Sequence, residues 1–137
     1  MSDNIRLEVV TPDQNVVSED AQIVVSPGSL GEFGVLKGHT PFLTTLKVGT
    51  IRYKDTSGAD RAVFVSGGFA EALPDKVTVL AESAERRENI DLDRAKSALD
   101  RAQKRLDSQQ EDVDFVRAKG ALERALQRVS LAGGSGV

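Results

Sequence analysis

The stretch KVTVLAESAERRENIDLDRAKSALDRA, residues 76–102, changes its hydrophobic pattern part-way along. It opens on the β-rich run KVTVLAE and closes on NIDLDRAKSALDRA, which is charged and carries its apolar residues at helical spacing. A pattern that switches from strand to helix predicts two kinds of structure in succession. We therefore expect the chain to divide near residue 83, with one domain over residues 1–84 and a second over residues 85–137.

The first domain is predicted to consist of short strands. IRLEVV alternates Ile5, Leu7 and Val9 with more polar neighbours, which is the pattern of a half-buried strand. Further β-rich runs are QIVVS, TIRYK, RAVFVS and KVTVLAE, and the breakers DTSGAD, SGG and LPDK punctuate them. Strands at about 8–12-residue spacing with such turns predict a small antiparallel β-sandwich or barrel.

The second domain is predicted to be a pair of helices. Each helix has a seam at spacings of three and four, formed by Leu92, Ala95, Leu99, Ala102 and Leu106, and then by Phe115, Ala118, Leu122, Ala125 and Val129. The polar connector DSQQED favours an antiparallel hairpin. Asn89 and Asp91 are both candidates for the first N-cap, and Gly120 costs about 1 kcal/mol inside the second helix. The predicted fold class is α+β, an antiparallel β-sandwich or barrel followed by an antiparallel helical hairpin.

Composition excludes several classes of function. The net charge of -3 and the pI of about 5.2 argue against general nucleic-acid binding. With no cysteine, the chain can have no disulfide, thiolate zinc site or cysteine nucleophile. The first ten residues do not resemble a secretory signal, and no apolar run reaches about 18 residues. We expect a soluble protein without a membrane-spanning segment.

No catalytic motif stands out. The glycines of GSLGEFG follow neither the dinucleotide fingerprint nor the phosphate loop, so tight turns at a sheet edge are the favoured interpretation. His39 is the only histidine and has no catalytic partner nearby in sequence. Glu32, between two glycines, is either solvated or a partner contact. The sequence predicts a protein that is not an enzyme and has no metal site.

The arginines of the helices leave two interpretations open. Arg124 and Arg128 share a helix face, and a hairpin brings them towards Arg94 at the start of the first helix. Three guanidinium groups suit a polyphosphate. The alternative is a solvated charged face, in which the arginines are neutralised by nearby carboxylates, namely Glu85, Glu88, Asp93 and Glu123.

The order of several segments resembles a known family. GEFGVLKGHTPFLTTL and FVSGGFAEALPDKVTVLAE precede IDLDRA and ALERALQR. In this order they resemble the epsilon subunit of the bacterial F-type ATP synthase, over about residues 5–131. The resemblance implies a β-sandwich that binds the gamma subunit and rests on the c-subunit ring, coupling proton flow to rotation. It places Glu32 and His39 on the surface that faces the c ring.

The resemblance also implies a regulatory hairpin. In this family the hairpin is either folded on the sandwich or extended along gamma into the alpha/beta catalytic hexamer, where basic residues meet an acidic segment of beta and ATP hydrolysis is inhibited. The implied location is peripheral, on the cytoplasmic side of the bacterial inner membrane. Two alternatives are a structural adaptor that does not sense ATP and a stand-alone nucleotide-binding module.

The resemblance implies ATP as a regulatory ligand. The ATP-binding motif of the family, I/L-D-x-x-R-A, is matched here by Ile90, Asp91, Arg94 and Ala95. The family's upstream glutamate corresponds to Glu85, and its two arginines on the second helix correspond to Arg124 and Arg128. Arg101, on the same face as Asp91 and Arg94, is an additional candidate. Nothing in the sequence requires Mg²⁺.

Overall fold

The computed structural model describes residues 3–108 and 114–133, which form two compact units that meet in sequence between Arg87 and Glu88. The strands are β1 Ile5–Val10, β2 Asn15–Gly28, β3 Gly31–Val35, β4 Phe42–Asp55, β5 Asp60–Ala72, β6 Lys76–Leu80 and β7 Ala84–Arg86. A 3-10 turn, Arg87–Asn89, precedes the helices α1 Leu92–Asp107 and α2 Phe115–Ala132. The predicted fold class is confirmed.

The sheet of the first unit closes on itself. Its strand order is β1-β6-β5-β4-β2-β3, and β1 also pairs with β2, so most of the sheet forms a ring. The β1–β6 pairing is parallel, unlike the antiparallel arrangement predicted throughout. No hairpin links these two strands, so nothing in the chain forces them to be antiparallel. The Arg6 amide donates to the Asp75 carbonyl at 2.9 Å where the two strands begin.

The core lies inside this ring and is built from aliphatic side chains. Ile5, Leu7 and Val9 are fully buried, as their alternation predicts. Branched side chains suit a pleated surface, and each contributes about 1.5–3 kcal/mol when it leaves water. The ring therefore encloses a continuous apolar core.

One segment that was predicted to break the strands, SGG, is instead part of a continuous strand. The glycines of SGG, Gly67 and Gly68, lie inside β5 with φ angles of 104° and 130°. A Cβ on Gly68 would collide with the carbonyl oxygen of Leu80 on β6. These glycines allow neighbouring backbone to approach closely and do not end the strand.

The end of the first unit is fixed by Arg86. Its Nε donates to the Val16 carbonyl at 3.0 Å, and its Nη1 contacts the Tyr53 hydroxyl at 3.1 Å and Glu19 Oε1 at 3.4 Å. The Tyr53 hydroxyl donates to Glu19, and burial together with this carboxylate raises the pKa of Tyr53 well above its ordinary value. Because β7 adds a strand before the helices, the sandwich unit runs three residues beyond the predicted boundary at residue 84.

The turn between β4 and β5 is organised by the Asp55 carboxylate. It accepts from the Ser57 hydroxyl at 2.6 Å, the Ala59 amide at 2.9 Å and Arg61 Nε at 3.0 Å. These donors stabilise the charged form and hold the pKa of Asp55 well below its usual range. The DTSGAD segment thus forms a turn, as predicted, and its geometry depends on one negative charge.

Asp55→Asn should lower the free energy of unfolding at neutral pH, because an amide cannot accept all of these bonds. The folded-state pKa lies below the unfolded-state value of about 4, so the carboxylate's contribution is complete above pH 4 and is lost as pH falls through the folded-state pKa. Urea unfolding followed by circular dichroism should show a difference that is largest at neutral pH. Asp60→Asn is the control, because Asp60 is exposed and 3.8 Å from its partner Lys54. A pH-independent difference would contradict this assignment.

Candidate functional site

Both helices of the second unit begin at an aspartate cap. Asp91 Oδ1 accepts from the Arg94 amide at 3.1 Å, and Asp114 Oδ1 accepts from the Arg117 amide at 3.0 Å. Of the two N-cap candidates for α1, Asp91 is therefore the cap. An aspartate here satisfies an amide that has no helical partner and places negative charge at the positive end of the helix dipole. Asp91 thus has a structural role whether or not a ligand binds.

The seam between the helices is made of alanine. Ala95 and Ala102 on α1 and Ala118 and Ala125 on α2 are between 1% and 4% exposed. The larger seam residues are less well covered, and Phe115 is half exposed. Alanine lets helix backbones approach closely, but each methyl group buries little apolar surface. The hairpin is therefore closely packed but only weakly stabilised by burial.

The hairpin brings the first turn of α1 to the same end as the last turns of α2. Arg94 is exposed at this end and Arg128 is half-buried, and Arg124, also half-buried, lies nearer the middle of α2. Arg124 Nη1 lies 3.2 Å from the position that a Cβ on Gly120 would occupy. The glycine that is unfavourable for the helix therefore leaves room for this guanidinium group.

Two of these arginines, Arg94 and Arg124, are not paired with a carboxylate in the described part of the chain, residues 3–108 and 114–133. On α1, Asp100 pairs instead with Lys104 at 3.0 Å, and Asp107 accepts from Gln103. The solvated-face interpretation predicted neutralisation by neighbours, which the structure does not show for these two arginines.

The other predicted nucleotide residues lie in different places. Glu85 is half-buried in β7, opposite Phe64, and belongs to the sandwich unit. Ile90 is half-buried just before α1, and Ala95 is in the alanine seam. Arg101 lies two turns beyond Arg94, about 10 Å along the helix axis. Arg94 and Arg128 therefore lie towards one end of the hairpin, whereas Arg124 and Arg101, each the tenth residue of its helix, lie nearer the middle.

Of the two residues predicted to face the c ring, Glu32 lies in β3 and His39 lies in the loop between β3 and β4. Glu32 Oε1 accepts from Arg52 Nη2 at 2.5 Å, and both side chains are partly exposed. The His39 ring lies 4.8 Å from that of Phe42, and its buried Nδ1 has no hydrogen-bond partner in the described residues. The ion pair of Arg52 with Glu32 was not predicted from the sequence. The only signal for Arg52 was an outward position in the alternating run TIRYK.

Within the described residues, no group of three or more His, Cys, Asp or Glu side chains is placed to hold a metal ion. No helix in the same part of the chain is long and apolar enough to cross a membrane.

The two units match two family models. Residues 4–87 match the β-sandwich domain of the ATP synthase delta/epsilon chain, and residues 88–133 match its long α-helix domain. The chain belongs to the epsilon subunit family of bacterial F-type ATP synthases. Members of this family are non-catalytic subunits of the central stalk, so the prediction that the chain is not an enzyme is confirmed.

Relatives from several bacteria support this assignment. The chain is 66% identical over 110 residues to an ATP synthase epsilon chain of Desulfatibacillum aliphaticivorans, covering 80% of this chain and 78% of the relative. An epsilon chain of Nitratidesulfovibrio vulgaris strain DP4 is 57% identical over 106 residues, covering 77% and 78%.

Solved structures agree with the fold. A chain of the Euglena gracilis mitochondrial ATP synthase (OSCP/F1/c-ring) is 26% identical, with a TM-score of 0.79, and the match covers 93% of this chain and 80% of that one. A chain of the Tetrahymena thermophila mitochondrial central stalk and c-ring has a TM-score of 0.55 at 14% identity, covering 94% and 93%, and supports the fold alone.

The cap geometry gives a prediction that separates two roles of Asp91. Asp91→Ala removes the N-cap and should destabilise α1 by about 0.5–2 kcal/mol, whereas Asp91→Asn keeps a capping oxygen and should cost much less. The loss should appear as reduced helicity in circular dichroism and faster amide exchange in the first turn of α1. Asp114→Ala and Asp114→Asn form the matched pair on α2. Equal effects of Ala and Asn would show that capping is not what Asp91 contributes.

Proposed function

We propose that this central-stalk subunit couples c-ring rotation to ATP synthesis and uses its hairpin as an ATP-sensitive brake on hydrolysis. The observation that supports the proposal is that Arg94 and Arg124, on the two packed helices of the hairpin, are in no ion pair among the described residues, and Arg128 lies one turn beyond Arg124. Guanidinium groups bind phosphate oxygens in charge-assisted pairs. A triphosphate is an anion of suitable size and charge for three of them.

The proposed ligand is ATP, with no requirement for Mg²⁺. Arg94, Arg124 and Arg128 would hold the phosphates, and Glu85, Ile90, Asp91 and Ala95 would form the adenosine end, as the family motif implies. The backbone amide of Arg94 is already bonded to Asp91, so only its guanidinium group is available to a phosphate. Only a folded hairpin groups the arginines of both helices, so ATP would favour that state.

The alanine seam supports a hairpin that can rearrange. A seam with little apolar burial is held by a modest free energy, and a ligand shifts such an equilibrium by its differential affinity. At ATP about 100-fold above its dissociation constant, the binding-competent state gains about 2.7 kcal/mol. That gain is enough to reverse a modest preference for the extended hairpin, so high ATP would release the brake.

The proposed partners are the gamma subunit, the c ring and, for the extended hairpin, the acidic segment of beta in the alpha/beta hexamer. In the sandwich, Glu32 and His39 are the proposed c-ring-facing residues. The Arg52–Glu32 ion pair supports this, since it holds an exposed carboxylate in one place. The proposed location is peripheral, on the cytoplasmic side of the bacterial inner membrane, and the proposed coupling ion is the proton.

Arg124→Gln with Arg128→Gln should weaken ATP binding at least tenfold, because two charge-assisted contacts to phosphate are lost. The measurement is isothermal titration of the isolated protein with ATP and with ADP. Lys96→Gln with Lys119→Gln is the control, because it removes the same charge from exposed positions on the opposite side of the helices. If the arginine variant binds ATP as tightly as the parent, the arginines are a solvated face and the chain is a coupling adaptor that does not sense ATP.

A further inference from the structure

The last strand of the sandwich unit, β7, is short and lies at an edge of the sheet. It consists of Ala84, Glu85 and Arg86, and in the described residues it pairs with β5 alone. A three-residue strand with one neighbour gains few backbone hydrogen bonds. The attachment of β7 to the sandwich must therefore depend on contacts beyond its backbone pairing.

Side chains hold β7 at both ends. At its start, the Ser66 hydroxyl accepts from the Ser83 amide at 3.0 Å and donates to the Ser83 carbonyl at 3.2 Å. At its end, Arg86 Nε donates to the Val16 carbonyl of β2 at 3.0 Å. The Arg86 side chain therefore supplies a link to β2 that the backbone of β7 does not make.

The contacts of Arg86 continue into the core through Glu19 and Tyr53. Arg86 Nη1 contacts the Tyr53 hydroxyl at 3.1 Å and Glu19 Oε1 at 3.4 Å, and the Tyr53 hydroxyl donates to the same carboxylate. Tyr53 is 3% exposed and belongs to the apolar core. Partly buried charges are screened less than surface charges, and loss of one member leaves its polar partners short of a hydrogen bond. We call Arg86, Glu19 and Tyr53 the Arg86 anchor.

The Arg86 anchor lies directly before the boundary between the two units. Arg87, the next residue, is exposed, and its side chain makes no hydrogen bond or ion pair within the described residues. The same holds there for the side chains of Glu88 and Asn89. Side-chain bonding resumes at Asp91, which caps α1. Residues 87–90 are thus a short linker between an anchored strand and a capped helix.

We propose that the Arg86 anchor confines the rearrangement of the hairpin to residues 87–90 and so fixes the point from which the hairpin reaches its partners. The rearrangement rests on the proposed function, whereas the anchor rests on contacts within the sandwich. In this role Arg86 is a positioning residue, because it acts through the length of the linker and not through contact with a ligand.

Linker length is the property that the Arg86 anchor controls. With β7 attached the linker is residues 87–90, and with β7 detached it is residues 84–90, which adds up to about 10 Å of reach. The effective concentration of a tethered group falls with about the -3/2 power of linker length, so this change from four residues to seven lowers it about twofold. Loss of the anchor should therefore weaken contacts between the hairpin and a partner.

The first test is amide exchange of the full-length protein, measured by mass spectrometry. Arg86→Met keeps an aliphatic side chain and removes every donor, and Arg87→Met is the matched control, since it removes the same charge from the exposed neighbour. The amides of β7 should exchange about tenfold faster or more in Arg86→Met, because contacts to a carbonyl, a hydroxyl and a carboxylate are lost. Arg87→Met should exchange like the parent.

Conservative variants separate anchoring from general stability. Arg86→Lys keeps the charge but lacks the planar fork that reaches Val16 and Glu19 together, so β7 should be protected to an intermediate degree. Tyr53→Phe should raise exchange in β7 by less than Arg86→Met, and the two effects should not add, because both act through one cluster. Faster exchange confined to β7 supports the anchor. Unchanged exchange in β7, or an equal increase throughout β1, β4 and β5, would overturn it.

The second test is ATP hydrolysis by the assembled ATP synthase at low ATP, without other inhibitors. The rate with a chain ending at Arg87, divided by the rate with the full chain, measures the brake. This ratio should fall about twofold with Arg86→Met and keep its parental value with Arg87→Met. A parental ratio in Arg86→Met, in a protein whose β7 is released in the exchange test, would overturn the positioning role.

The two proposals fail separately. If the parental ratio is one at every ATP concentration, the proposed brake is wrong, whereas release of β7 in Arg86→Met still establishes the anchor. If the brake operates and β7 is equally protected in the parent and in Arg86→Met, the proposed function stands and the anchor is wrong.

Discussion

The close packing of α1 on α2 through buried alanines is the constraint on which the hairpin depends. Ala95, Ala102, Ala118 and Ala125 are buried and allow the two helices to approach closely. The same small side chains bury little apolar area, so the packing is held by a small free energy. In the proposed function, a polyanion that binds arginines of both helices stabilises this weakly held packing.

The sandwich, unlike the hairpin, is held together by extensive apolar burial. Its strands close into a ring around fully buried aliphatic residues, and β1 completes the ring through two pairings. Arg86 holds the last strand to Val16, Tyr53 and Glu19. The last strand of the closed sheet therefore ends one residue before the boundary between the units.

The fold could be predicted from hydrophobic periodicity, since the alternation at Ile5 to Val9 and the heptad spacing after Leu92 each correspond to an observed element. The predictions that were wrong concern features that depend on tertiary contacts. The parallel β1–β6 pairing joins distant segments, and Gly68 is needed because Leu80 approaches it. The hydrophobic periodicity predicted ten seam positions without distinguishing among them. In the structure, the four alanines among these ten are the residues that are buried.

Only part of the candidate site could be predicted from the sequence. Motif spacing singled out Arg94, Arg124 and Arg128, but the cap role of Asp91 needed the observed hydrogen bond. The absence of an ion pair at Arg94 and Arg124 among the described residues could not be read from spacing, because carboxylates lie close to both in sequence. Arg52 was missed because its partner Glu32 is on a strand separated from β4 by β2.

The central claim is that the hairpin is a brake released by ATP. It is tested most directly by the hydrolysis rate of the assembled ATP synthase with the full chain and with a chain ending at Arg87, over a range of ATP concentrations and without other inhibitors. The account predicts that the truncated form hydrolyses faster at low ATP and that the ratio of the two rates falls towards one as ATP rises. A ratio of one throughout, or a ratio independent of ATP concentration, would contradict it.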